Sequence, residues 1–139
     1  MNIHVAAALI NQNGRLLAAQ RSAGAQAGAW ELPGGKVEEG ESSVEALRRE
    51  IGEELSCEVR SAWLYDTVEF DYPEFHLTMD CYITRLDPEA RPSCDPQVHS
   101  ELRWLARDEL FDVEWLPADV DLLRGLAYYW DEAFSDQLL

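Results

Sequence analysis

Apolar and polar residues follow two different periods along this 139-residue chain. Ile3 to Ile10 is a largely apolar run of β-permissive residues, and Asn13-Gly14 divides it from Leu16-Leu17-Ala18-Ala19. Both turn residues tolerate positive φ, so the two runs are predicted to form a β-hairpin. Arg21 to Ala29 is small and polar and reads as a loop. It leads into Trp30-Glu31-Leu32-Pro33-Gly34-Gly35-Lys36, where proline removes a ladder donor and the glycines open backbone conformations closed to other residues. This stretch is expected to be irregular, with room for something to approach the backbone. From Ser42 the period lengthens. Val44, Leu47, Ile51 and Leu55 recur at three- and four-residue steps with charges between them, which predicts a helix over about 42–55. Ser42 and Glu45 match a capping box at its start. Gly52 inside it costs about 1 kcal/mol relative to Ala.

Glu58 to Phe70 reads as a strand, Asp71-Tyr72-Pro73-Glu74 as a turn, and His76 to Thr84 as a second strand with Leu77, Met79, Cys81 and Ile83 on one face. Asp87 to His99 carries Pro88, Pro92 and Pro96 and is expected to be a loop, with a short strand at Leu102 to Leu105 behind it. Val120, Leu123, Leu126 and Trp130 predict a closing helix over Pro117 to Trp130. Strands before, between and after two helices give a mixed α/β or α+β fold. The length suits one domain spanning residues 1–139, with no internal repeat.

Composition narrows the function. Eleven Lys and Arg stand against 27 Asp and Glu, a formal net charge of −16. Such a field repels nucleic-acid polymers and anionic membranes, whereas a small anionic substrate would need divalent cations as bridges. Cys57, Cys81 and Cys94 have no C-x-x-C spacing, and His4, His76 and His99 lie far apart. That disfavours a zinc site or disulfide framework and favours a reducing compartment. With no basic-then-apolar leader and no run of about 18 apolar residues, the expected location is cytoplasmic.

The helix carries the densest chemistry. Glu50, Glu53 and Glu54 stand at i, i+3 and i+4, so their carboxylates share a face, with Arg49 as the adjacent cation. Carboxylates held on a rigid helix suit Mg²⁺ or Mn²⁺ against substrate phosphates. A solvated acidic face has the same spacing, and spacing alone leaves both open.

Gly35, five residues, Glu41, seven residues, then Arg49-Glu50-Ile51-Gly52-Glu53-Glu54-Leu55-Ser56-Cys57 resembles the Nudix hydrolase signature G-x5-E-x7-R-E-U-x-E-E-x-G-U, U being apolar. Every charged position matches. Ser56 stands where the family has Gly, and Cys57 takes the last apolar position. Met1 to Arg21, Ala27 to Lys36 and Leu116-Pro117-Ala118-Asp119 further resemble the family's nucleoside-triphosphate pyrophosphohydrolases, the group that contains an oxidised-guanine sanitiser and a CTP-preferring enzyme. The resemblance implies a Nudix α/β/α sandwich with a mixed central sheet and Mg²⁺, replaceable by Mn²⁺, as cofactor. It also implies attack of water on a phosphorus, releasing a nucleoside monophosphate and pyrophosphate. By the same resemblance the Gly34 carbonyl, Glu50 and Glu54 hold the metal, and Glu53 is ligand and general base. Arg49 orients Glu53, Glu41 pairs with Arg49, and Gly35 is structural. Other members cleave ADP-ribose, dinucleoside polyphosphates or capped RNA ends, and a catalytically silent Nudix ligand sensor is a further class. The family includes homodimers, but no segment here marks an interface.

A second acid in the family pattern E-H-x-E-x-x-W meets Val98-His99-Ser100-Glu101-Leu102-Arg103-Trp104, so Val98 replaces the first acid and Glu101 is either its substitute or an exposed strand-end residue. Arg21 and Lys36 match positions near the phosphates, where a cation offsets charge. Leu32 either packs on the base or belongs to the core. At the position of Asp119 the oxidised-guanine enzyme has Asn and the CTP-preferring one Asp. A carboxylate there can accept from the exocyclic amine of cytosine, or it is the N-cap of the last helix. Of the five tryptophans, some could stack on a base, although an aromatic on an amphipathic element is generally core.

Overall fold

A computed structural model describes residues 1–135. The elements in chain order are β1 (Asn2–Gln12), β2 (Arg15–Arg21), β3 (Trp30–Glu31), β4 (Gly34–Lys36), α1 (Ser43–Leu55), β5 (Val59–Asp71), β6 (His76–Leu86), β7 (His99–Ala106), a 3-10 helix (Arg107–Asp112), α2 (Pro117–Tyr128) and α3 (Trp130–Ala133). Among the described residues the strands join in one mixed sheet of order β3-β2-β1-β6-β5, with β4 pairing β1 and β7 pairing β2. Asn13 and Gly14 turn the β1–β2 hairpin at φ 56° and 77°, the positive pair that matches the twist of the strands they join.

β1 changes partner along its length. Asn11 and Gln12 pair with Arg15 and Leu16 of β2, while Val5, Ala6 and Ala7 pair with Lys36, Gly35 and Gly34 of β4. Its other edge runs parallel to β6 from Asn2 to Ile10. β2 continues instead against β7. The glycine segment is thereby inserted where β1 and β2 part, and this opening positions the site.

The alternation within β1 sorts its side chains to two layers. Ala6, Ala8 and Ile10, with Leu17, pack against Ala46, Leu47, Ile51 and Leu55 of α1. Ala7 and Leu9, with Leu16 and Ala18, pack against Leu122, Leu123, Leu126 and Trp130. Helices on both faces complete an α/β/α sandwich. α1 begins as its sequence predicts: the Ser42 hydroxyl accepts from the Glu45 amide at 3.1 Å, and the Glu45 carboxylate accepts from the Ser42 amide at 2.8 Å. Ser56 ends it in the left-handed region at φ 56°, ψ 38°, the conformation for which the signature's glycine is suited.

Three expectations are corrected. The segment read as irregular carries β3 and β4, too short for periodicity to disclose. β7 begins at His99 rather than Leu102, because Arg21 pairs with His99 after a bulge at Gln20/Arg21. The closing helix is interrupted at Tyr129 (φ −96°, ψ 20°), so Trp130 starts a separate turn. No helix among the described residues is long and apolar enough to cross a membrane.

Candidate active site

A cavity of about 510 Å³ lies beside the glycine strand. Its lining includes Gly34, Gly35, Lys36 and Glu54, Arg21, Glu31, Leu32 and Val98, and Tyr72, Phe75 and Asp119. A larger hollow of about 720 Å³ surrounds the β1–β2 turn and Arg60. It touches none of the residues that the resemblance assigns to metal or substrate, whereas the smaller cavity is lined by Arg21, Leu32, Gly34, Gly35, Lys36, Glu54 and Asp119 from that set.

Both glycines are sterically required. Gly34 has φ 145°, and a Cβ there would overlap the carbonyl oxygen of Ala6 on the paired strand. A Cβ on Gly35 would collide with the carboxyl group of Glu50. The bare backbone lets α1 deliver its carboxylates onto β4. The Gly34 amide donates to Glu54 Oε2 at 3.3 Å. Glu54 is buried, and burial pushes its carboxyl up to about 8, with the charges of Glu50 and Glu31 adding to the rise and the Gly34 hydrogen bond opposing it.

Arg49 fastens the acidic face. Its Nε and Nη2 donate to the two oxygens of Glu41 at 3.2 and 2.7 Å, Nη1 donates to Glu50 Oε1 at 2.8 Å, and Nη2 donates to the Lys36 carbonyl at 3.0 Å. The guanidinium, with the Glu38 amide, holds the Glu41 carboxyl below its ordinary range. Glu53 is held more loosely, 3.5 Å from Nη1 with its side chain 61% exposed. The face shared by the three glutamates is thus graded, with Glu54 buried, Glu50 half-buried and Glu53 at the exposed rim of the face, and of the three only Glu54 lines the cavity. Among the described residues no three His, Cys, Asp or Glu side chains converge as a complete metal cage. The donor set nevertheless suits a hard divalent cation. It offers carboxylate and backbone oxygens, Mg²⁺ takes as few as one or two carboxylates with water and phosphate completing its shell, and its charge would relieve the crowding of Glu50 against Glu54.

The rest of the cavity is built differently. Glu31 Oε1 takes Arg21 Nη1 at 3.1 Å, and Glu31 Oε2 takes His99 Nε2 at 2.8 Å. Asp119 is buried at 3% exposure, and desolvation pushes it up to about 8. The negative charge of Glu31 adds to that rise and a hydrogen bond from the Leu32 backbone opposes it. Asp119 is the third residue of α2, and the cap position belongs to Leu116, which makes no side-chain cap. The N-cap reading of Asp119 is therefore overturned. Backbone bonds from Trp30 to Glu114 and from Leu116 to Trp30, each 2.9 Å, tether the start of α2 to β3 and bring Asp119 to Leu32.

The other candidates divide. Lys36 and Leu32 line the cavity, the former exposed and the latter also in the core. Glu101 pairs with Gln20 in the sheet, is exposed and does not line the cavity, whereas Val98 does. Trp30, Trp115 and Trp130 are buried in the core, and no tryptophan lines the cavity. Its aromatic wall is instead Tyr72 and Phe75, with ring centroids 5.1 Å apart, and Phe70 packs on Tyr72 at 4.8 Å. The Tyr72 hydroxyl accepts from the Ala118 amide at 3.2 Å. Tyr72 in the predicted turn, with Phe75 just after it, was the signal for this wall. Nothing in the spacing marked Glu31 or the burial of His99.

The NUDIX domain profile matches residues 2–126. The chain is 39% identical over 132 residues to a putative 8-oxo-dGTP diphosphatase 2 of Mycobacterium tuberculosis, covering 91% of this chain and 89% of that protein. It is 34% identical over 136 residues to the CTP pyrophosphohydrolase of Escherichia coli, covering 88% and 90%. In three dimensions it resembles a MutT NUDIX hydrolase from Burkholderia pseudomallei at a TM-score of 0.80 and 30% identity, over 89% of this chain and 97% of that one. With the signature arginine and glutamates gathered around the glycine strand that lines a cavity in this fold, the chain belongs to the NUDIX family.

Proposed function

We propose that the protein is a Mg²⁺-dependent hydrolase of nucleoside triphosphates, releasing a nucleoside monophosphate and pyrophosphate, with a weak preference for cytosine nucleotides. The observation that carries this reading is the polarity of one cavity. Glu54, with Glu50 packed on Gly35 beside it, meets the bare glycine backbone of its lining, and the buried Asp119 carboxyl shares that lining with Leu32, Tyr72 and Phe75.

Gly34, through its carbonyl, with Glu50, Glu53 and Glu54, would hold the metal, and Mn²⁺ would serve in its place. The bound ion would neutralise phosphate oxygens whose charge otherwise repels a nucleophile. Glu53, at the solvent rim, accepts the proton of the attacking water as a phosphorus–oxygen bond forms and the anhydride bond breaks. Arg49 keeps Glu50 and Glu41 in place, and Arg21 and Lys36 face the phosphates. The base lies against Leu32 and the Tyr72–Phe75 wall. Asp119, whose carboxyl keeps its proton near neutrality, presents a hydroxyl and a carbonyl side by side. That pair complements the N3 acceptor and N4 donor of cytosine.

The names of the relatives place oxidised guanine beside cytosine as the substrates to compare. A panel of CTP, dCTP, 8-oxo-dGTP, the other triphosphates, ADP-ribose and a dinucleoside polyphosphate, scored by pyrophosphate release with Mg²⁺, tests the reading. Turnover confined to ADP-ribose or the dinucleotide overturns the substrate class. Binding without turnover makes the chain a ligand sensor, the outcome that the displaced Glu101 and the apolar Val98 would favour.

A further inference from the structure

His99 is the least exposed polar residue near the cavity, at 1%. Its two ring nitrogens face different functional elements. Nε2 lies 2.8 Å from Glu31 Oε2, and the other Glu31 oxygen holds Arg21 Nη1 at 3.1 Å. Nδ1 has no hydrogen-bond partner and lies 4.0 Å from Glu54 Oε2. That oxygen in turn accepts from the Gly34 amide. The ring therefore stands between the Glu31–Arg21 pair and Glu54 beside the glycine strand.

The backbone under the ring is fixed. The His99 amide donates to the Asp95 carbonyl at 2.8 Å, and the Ser22 amide donates to the Val98 carbonyl at 3.1 Å. His99 is also the strand partner of Arg21. With its ring anchored in this way, its Nε2–H fixes the Glu31 carboxylate, and Glu31 fixes one side of the Arg21 guanidinium. Arg21 Nε is buried without a partner, and the residue lines the cavity. A long cationic side chain otherwise loses considerable rotamer freedom on binding an anion, so one held in advance binds at lower cost.

We propose that His99 is a positioning residue: through Glu31 it pre-sets Arg21 for the phosphorylated substrate. The role rests on the hydrolase reading above for its kinetic consequence, but not for its structural one. His99 touches no substrate and takes no part in the chemistry at Glu50, Glu53 and Glu54. Its loss should weaken substrate binding and leave turnover largely intact. A purely structural histidine would instead lower the folded, active fraction, reducing kcat at constant KM.

The two amide side chains separate the ring's two ends. The Gln amide reaches the position of Nε2 and keeps a donor for Glu31. The Asn amide reaches only the position of Nδ1 and does not. Steady-state kinetics should show KM raised about tenfold in His99→Asn, the loss of one charge-assisted hydrogen bond, and restored to within about twofold in His99→Gln. Combining His99→Asn with Glu31→Gln should raise KM no further than either change alone. Equal KM in the Asn and Gln variants, or independent multiplicative effects in the double variant, would overturn the proposal.

An activity-free measurement runs beside the kinetics. The Arg21 Nε–H in ¹⁵N relaxation should be ordered in the parent and in His99→Gln and mobile in His99→Asn. A parent that cleaves none of the panel nucleotides would refute the substrate reading alone. Unchanged Arg21 order in His99→Asn would refute the positioning role whatever the substrate. If His99→Asn fails to fold, Glu31→Gln carries the same relaxation test from the other side of the hydrogen bond, with loss of Arg21 order expected and its retention contradicting the role.

Discussion

Gly35 and Glu50 share one space: a Cβ on the glycine would stand 2.5 Å from Glu50 Oε2 and 2.7 Å from Oε1. The carboxylate sits where any other residue's side chain would begin, with Arg49 holding Oε1 from the opposite side at 2.8 Å. Gly35→Ala should displace Glu50 by about 1 Å and lower kcat roughly 100-fold. Overpacking should cost about 1–3 kcal/mol of stability. Turnover assays and denaturant melts on the purified variant measure both, and an alanine variant with the parent's activity would mean that Glu50 does not need its present place.

The sequence made some features of this site legible and left others dark for physical reasons. Helix α1, its cap and the register of Arg49, Glu50, Glu53 and Glu54 followed from a 3.6-residue period and a capping pattern, which are local. The grading of the glutamates, with Glu54 buried and Glu53 at the rim, depends on how β4 lies over α1. It could not be read from spacing. Asp119 was visible as a candidate but was equally compatible with a helix cap. Only the tether between β3 and the start of α2 turns it inward. Glu31 and His99 lie 68 positions apart and meet only because β2 pairs with β7. No pattern along the chain encodes that meeting.

Glu53 is the most exposed of the three clustered glutamates, and Arg49 holds it at 3.5 Å against 2.8 Å for Glu50. Glu53→Gln removes a proton acceptor without emptying any core volume. The expected effect is a fall in kcat of about 10²- to 10⁴-fold, the usual worth of a general base. Stability should stay within about 0.5 kcal/mol. Thermal melts and steady-state kinetics on one preparation decide it, and undiminished turnover removes Glu53 from the mechanism.

Ser56 closes α1 at φ 56°, where its amide donates to the Gly52 carbonyl at 3.2 Å. A side chain in that conformation costs roughly 1–2 kcal/mol, part of which glycine returns through greater freedom in the unfolded chain. Ser56→Gly should therefore raise stability by about 0.5–1 kcal/mol and the melting temperature by a few degrees, with kinetics unchanged. A lower melting temperature would show that the serine side chain contributes more than its strained backbone costs.

A cation that binds only the folded chain raises its stability by mass action, about 2.7 kcal/mol at one hundred times the dissociation constant. Millimolar Mg²⁺ should raise the melting temperature of the parent, and Mn²⁺ should do the same. Glu50→Gln should abolish most of that rise, because the cavity loses a charged oxygen donor. Melting curves with and without EDTA provide the comparison, and an equal metal response in the variant would place the bound ion elsewhere.

Asp119 ties stability to pH in a direction opposite to that of most carboxylates. Its ordinary value is 3.8, and burial raises it to about 8 in the folded protein. Above about pH 4 the unfolded chain releases this proton while the folded chain retains it. Folding then takes up a proton, and stability falls as pH rises towards 8. The slope from one such group is at most about 1.4 kcal/mol per pH unit. Asp119→Asn keeps the shape and removes the titration. The unfolding free energy of the variant minus that of the parent should therefore climb steadily between pH 5 and 7.5, while contributions from the other carboxylates cancel in the difference. Urea melts at four or five pH values over that range measure it. A difference independent of pH would mean that Asp119 is already ionised in the folded state, and would remove the neutral hydroxyl assigned to base recognition.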